Sequence, residues 1–163
     1  MPTSSHRDED YAVHTAVALT VNRYLIRHLV RMYRAFDGDL IECIVLGAVA
    51  HQNLAGLIGE APTSVEFAER LVVHGRPRPD ELLPTNAHSI ALATGIPRET
   101  VRRKVAALVE RGWLRQDERA NLTCTSEPAA HFRAASEQSI RELLDAAKAI
   151  SALRGRPGFP RSS

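Results

Sequence analysis

Between Asn86 and Leu114 two short segments of helical periodicity are separated by Thr94-Gly95-Ile96-Pro97. That tetrapeptide narrows the folds open to the chain more than any other stretch. Glycine tolerates the positive φ of a sharp turn. Proline suits a first helical position, where its missing N–H would go unbonded in any case. The spacing predicts a helix over 87–93, capped by Asn86, with Ile90 and Leu92 facing inward and Ile96 plugging the turn. A second helix is expected from Pro97 to Arg111. At about 100° per residue, Val101, Val105 and Leu108 share one face with Val109 beside them, and Glu99 and Arg103 lie opposite. Ala106 and Ala107 continue the outward side, so nothing bulky would hold this helix away from a partner. Gly112 is the expected left-handed cap. After it, strand 113–116, turn 117–120 and strand 121–125 make a small hairpin.

The second helix is also the most basic part of the chain. From Pro97 to Arg115, five arginines and one lysine stand against two glutamates, although the whole protein carries a net charge of only +2. A local patch of this kind is the electrostatic footprint of a DNA-binding face. Guanidinium and carboxylate groups on a helix in the major groove can read base edges. The expected contacts are Arg98, Glu99, Thr100, Arg102, Arg103 and Lys104 on the helix. Arg115, Arg119 and Asn121 on the hairpin could reach a phosphate or the minor groove.

The run Arg98-Glu99-Thr100-Val101-Arg102-Arg103 resembles the recognition helix of the cyclic-AMP receptor protein family, whose motif is Arg-Glu-Thr-Val-x-Arg. The resemblance implies that Arg98 and Arg103 contact guanines, that Glu99 accepts from cytosine and that Thr100 bonds a phosphate. Pro97 stands where that family has a serine cap. Residues 1–85 look helical rather than β-rich, so base reading carries over and cyclic-nucleotide sensing does not. The order of elements resembles the MarR-type regulators, in which two terminal helices build a dimer.

Around this core, residues 1–8 are polar and expected to be disordered, and a long helix runs from about Asp10 to Phe36. Its face Val17, Val21, Leu25, Leu29, Met32, Phe36 is wide enough to pack against a second chain as well as its own core. Arg23, Arg27, Arg31 and Arg34 line the other side, read as a solvated face or, alternatively, a contact for acidic groups. Asp37-Gly38-Asp39 is a turn that caps an apolar helix from Leu40 to about Asn53. In the segment 55–85, Thr63-Ser64-Val65-Glu66 suggests a capping box for a helix ending near Val73. The run Arg76 to Asp80 reads as extended loop. Ser126 caps an expected helix to about Leu153, whose seam Ile140, Leu143, Ala147, Ile150 is a packing surface for the same chain or, as two-fold DNA reading favours, for a second copy. The tail from Arg154 to Pro157 contains the core of an AT-hook, read either as a basic end to the helix or as a minor-groove contact.

The division expected is 1–8, helices in 9–54, an insertion at 55–85, a winged helix–turn–helix at 86–125, a helix at 126–153 and a basic tail at 154–163. The fold class is mostly α, with long terminal helices and a two-stranded wing. Two cysteines are too few for a disulfide framework. No histidine pair has metal-ligand spacing, and no phosphate loop or nucleophile elbow occurs. No cofactor, metal or enzymatic activity is expected. The absence of a signal-like apolar run suggests a cytoplasmic protein. Double-stranded DNA is the expected partner, bound by a homodimer. A small-molecule effector has room but no identity. The alternative is a winged-helix module that docks on another protein.

Overall fold

The computed structural model describes residues 4–58, 79–156 and 159. It is mostly helical and divides into two units, one made of residues 1–35 with 132–163 and one of residues 36–131. The expected helix at 63–73 and the stretch 76–78 lie outside the described residues.

In the first unit α1 (Ser4–Ala35) packs along α6 (Arg133–Ser151). α1 starts at Ser4, where the sequence suggested disorder through residue 8. The two helices are antiparallel: Arg31 meets Ser139 and Glu142, while Thr20 and Tyr24 lie beside Asp145 and Ala146. The seam between α1 and α6 is not the apolar row singled out in the sequence, whose partner was open between this chain and a second copy. On α6 it is the row Ser139, Glu142, Ala146, with Ser139 and Ala146 buried, whereas Ile140, Leu143 and Leu144 are exposed. On α1 it is Val13, Thr20, Tyr24 and Arg31, whereas Val21, Leu25 and Leu29 are exposed. Arg31 is therefore not part of a solvated stripe. It donates to Ser139 Oγ (2.7 Å) and pairs with Glu142 (2.7 Å), which holds the Glu142 carboxyl below its usual range.

In the second unit α2 (Leu40–Ile58) is the central helix, touching α3 (Ala87–Thr94), α4 (Arg98–Glu110) and the strand β2 (Leu122–Cys124). Asp39 caps it, its Oδ1 accepting from Glu42 N–H at 2.9 Å. Its window Leu40–Leu57 is long and apolar enough to cross a membrane. Here Val45, Leu46 and Val49 instead lie buried in the core with Ile90, Val101, Val105, Leu108, Leu114 and Leu122. Burial on that scale is what makes an otherwise short helix pair stable, since each fully buried Leu or Ile is worth about 1.5–3 kcal/mol. Residues 79–81 form a single 3-10 turn, where the run through Asp80 was expected to be extended.

The strand β1 (Leu114–Gln116) pairs antiparallel with β2, Leu114 opposite Cys124 and Gln116 opposite Leu122. Thr85 adds a bridge to Leu122, so the wing has a third, one-residue rung from the chain entering α3. The expected single helix at 126–153 is broken. A short α5 (Glu127–His131) ends where the second unit ends, Phe132 intervenes, and α6 begins at Arg133. Thr125, rather than Ser126, supplies the side-chain oxygen at the start, accepting from Glu127 N–H.

Candidate nucleic-acid interface

The geometry of the turn follows from three residues. Asn86 Oδ1 accepts from the N–H groups of both His88 and Ser89 at 3.0 Å, filling two of the open donors of the first turn of α3. Gly95 ends that helix with φ +71°, its N–H returning to Ala91 C=O. Pro97 has an extended ψ of 134°, which makes it the N-cap; α4 therefore begins at Arg98, one residue later than the periodicity suggested. Inside α3, Ile90 is wholly buried, but Leu92 is 73% exposed and does not join the core.

α4 rests on Val101, Val105 and Leu108, all buried as expected. Opposite them Arg98, Glu99, Arg102, Arg103 and Ala106 are exposed, and Thr100 and Ala107 are half-buried on the flank. Glu99 and Arg102 form a loose pair at 3.5 Å with side chains 84% and 65% exposed. Such a contact is worth little in water and leaves both groups available to a partner.

Two cations of the basic segment, of which Lys104 was expected at DNA, are paired within the protein. Lys104 and Arg111 sit one heptad apart on the flank of α4 that faces the start of α2. The Lys104 ammonium binds Asp39. Arg111 lies 3.3 Å from buried Glu42 and 3.6 Å from Asp37, with its guanidinium 5.3 Å from the Trp113 ring centre. Lys104 is thus a fold residue rather than part of the outer face. A charge count could not reveal this, because the acids lie 65 or more residues away in sequence.

The wing turn is built by Asp117. Its carboxylate accepts from the Arg119 and Asn121 main-chain N–H groups and from the Asn121 amide, and these bonds hold it below the usual carboxylate range. Asn121, expected to reach DNA, is therefore half-buried and committed to the turn. Arg115 and Arg119 remain exposed.

Between α4, the wing and the start of α3 lies a groove of about 800 Å³. Arg98, Arg102 and Arg119 line it, together with His88 and Gln116, two side chains the sequence reading passed over. They escaped notice because each is unremarkable in its own segment; only packing brings 88, 102 and 116 to one cleft. The cysteines are not part of it. Cys124 is pushed up to about 11 by burial and Cys43 is raised by the same cause, as suits packed thiols.

Residues 82–118 match the family model described as the IclR helix-turn-helix domain. No curated protein and no solved structure matches the chain. The matched segment contains the rung at Thr85, both helices of the pair, the Gly95 turn and the first strand of the wing, and stops short of Arg119. With an outward arginine-bearing helix and that match, the chain is a DNA-binding transcription regulator built on a helix–turn–helix.

Proposed function

We propose that the protein binds double-stranded DNA sequence-specifically as a homodimer, each copy laying α4 in a major groove. The observation that carries this reading is the outer face of α4, where Arg98, Glu99, Arg102 and Arg103 are exposed around the small Ala106. Arginine can bond guanine through two N–H groups and glutamate can accept from cytosine, so these side chains suit base edges. Thr100 sits where it could bond a phosphate. Arg115 and Arg119 would hold the backbone beside the groove. The reading assigns the chain no catalytic step, and its expected compartment is the cytoplasm.

The first unit supports the dimer. On helical wheels of two antiparallel helices, Val21, Leu25 and Met32 of α1 fall on the same side of the layer as Ile140, Leu143 and Leu144 of α6. Arg23, Arg27 and Arg34 fall on the other side with Gln138 and Asp145. A two-helix layer with one apolar side needs a second layer to cover it. A second copy supplies an identical apolar side, giving a four-helix arrangement with two-fold symmetry.

Fluorescence anisotropy with duplex DNA across a salt series, followed by selection of bound duplexes from a random pool, tests the proposal. Affinity that falls steeply with salt, and a recovered motif with two-fold symmetry, are expected. No salt-dependent binding would instead favour a module that docks on protein.

A further inference from the structure

One side chain in the second unit does more than its position on a core helix requires. Asn53, near the end of α2, is buried and uses every hydrogen-bonding group of its amide. Nδ2 donates to the Leu83 carbonyl (2.7 Å) and to the Leu122 carbonyl (3.1 Å), and Oδ1 accepts from Cys124 N–H (2.8 Å). Its own main-chain carbonyl accepts from Leu83 N–H at 2.9 Å. Leu122 is in turn exchanging both main-chain bonds with Thr85, whose hydroxyl donates to Gln52, the neighbour of Asn53. One amide thus joins three pieces of chain: the central helix, the strand-like entry to α3, and both ends of β2.

We propose that Asn53 is the positioning residue of the wing. Thr123 lies between the two β2 residues that Asn53 holds, and its partner across the ladder is Arg115. Beyond that pair the strands lead to the turn that carries Arg119. Fixing Leu122 and Cys124 against α2 therefore fixes where both wing guanidiniums stand relative to α4, which is anchored on the same helix. A β-ladder of three residues cannot do this alone, because isolated two-stranded hairpins are marginal in water. The polar bonds do so more selectively than apolar packing would. An amide with two donors and one acceptor satisfied has one register, whereas a leucine there could slide. The effect on DNA rests on the function proposed above; the effect on the wing does not.

Asn53→Ala tests the proposal against Val49→Ala, which removes buried volume from the same helix and leaves the Asn53 hydrogen bonds in place. In the free protein, amide hydrogen exchange at Thr85, Leu122 and Cys124 is expected to quicken about tenfold or more in Asn53→Ala relative to the α4 amides, the order of change when buried groups lose their partner. Val49→Ala should leave that ratio as in the wild type. Exchange at these three amides that keeps pace with α4 in both variants overturns the proposal. On duplex DNA, the salt dependence of Asn53→Ala should flatten by about one to two units for each bound copy, as two phosphate contacts per copy are loosened, while base preference along α4 is kept. If the wild type binds no DNA, the function proposed above falls and the exchange result still decides the role of Asn53. Should Asn53→Ala not fold, exchange in the wild type decides the matter: a Cys124 amide as unprotected as that of Glu118 overturns the proposal, and strong protection supports it.

Discussion

Arg103 and Lys104 are neighbours in the chain with opposite fates. Arg103 points away from the buried valines of α4, so Arg103→Ala is expected to cost about 1–3 kcal/mol of DNA binding and to relax preference at one base position, read from binding to single-substitution duplexes. Lys104 is bound to Asp39. Lys104→Ala should therefore lower thermal stability and leave base preference intact, which a melting curve beside the same duplex panel would show. Asp39 carries a pH dependence as well. Burial pushes its pKa up, but the bond from Lys104 and those from the Glu42 and Ile41 N–H groups outweigh burial, and the carboxyl is held below its usual range. Its folded pKa is thus lower than its unfolded one. The stabilisation is present in full above the unfolded value and is lost as pH falls through the folded value. Melting temperature should drop below about pH 4, and less so in Lys104→Ala. Sequence periodicity showed that both side chains leave the core stripe. It could not show that an aspartate sixty-five residues earlier waits on one flank and solvent on the other.

Among the elements, the turn between α3 and α4 was the most legible, since its chemistry is local. Asn86 caps, Gly95 takes positive φ, and both do so with groups within four residues. A Cβ at Gly95 would meet nothing within 4 Å, so Gly95→Ala pays only backbone strain. That substitution is expected to cost about 1–2 kcal/mol, with Gly95→Asn costing less, measured by denaturant unfolding. The C-terminal helix was less legible for the opposite reason. Nothing in 126–153 marks Phe132 as a break, and the α-periodic pattern runs through it. The row that meets α1 is Ser139, Glu142, Ala146, because Arg31 and His28 offer polar partners to Ser139. A search for the most apolar row finds Ile140, Leu143 and Leu144, which remain exposed.

That leftover row bears on the whole molecule. If a second copy covers it, Leu25→Glu or Leu143→Glu should convert a dimer to a monomer in sedimentation experiments. Each should weaken binding to a two-fold operator by on the order of a hundredfold, as the second half-site contact is lost. Arg23→Glu, on the charged side of the same layer, should leave the assembly unchanged. A monomeric wild type would contradict the dimer outright.

Local chemistry was enough to place the helix–turn–helix, its cap, its turn, its buried valines and the sign of its outer face, because each depends on spacing of a few residues and on φ preferences that side chains carry with them. Packing settled which charges remain free for DNA. Lys104 and Arg111 pair with Asp39 and Glu42, and Asn121 bonds Asp117 within the exposed wing turn, while His88 and Gln116 come to the groove beside Arg98 and Arg102. The cause is physical. A cation's availability depends on the nearest opposite charge in space, and except within a tight turn like that of Asp117, distance along the chain does not report it.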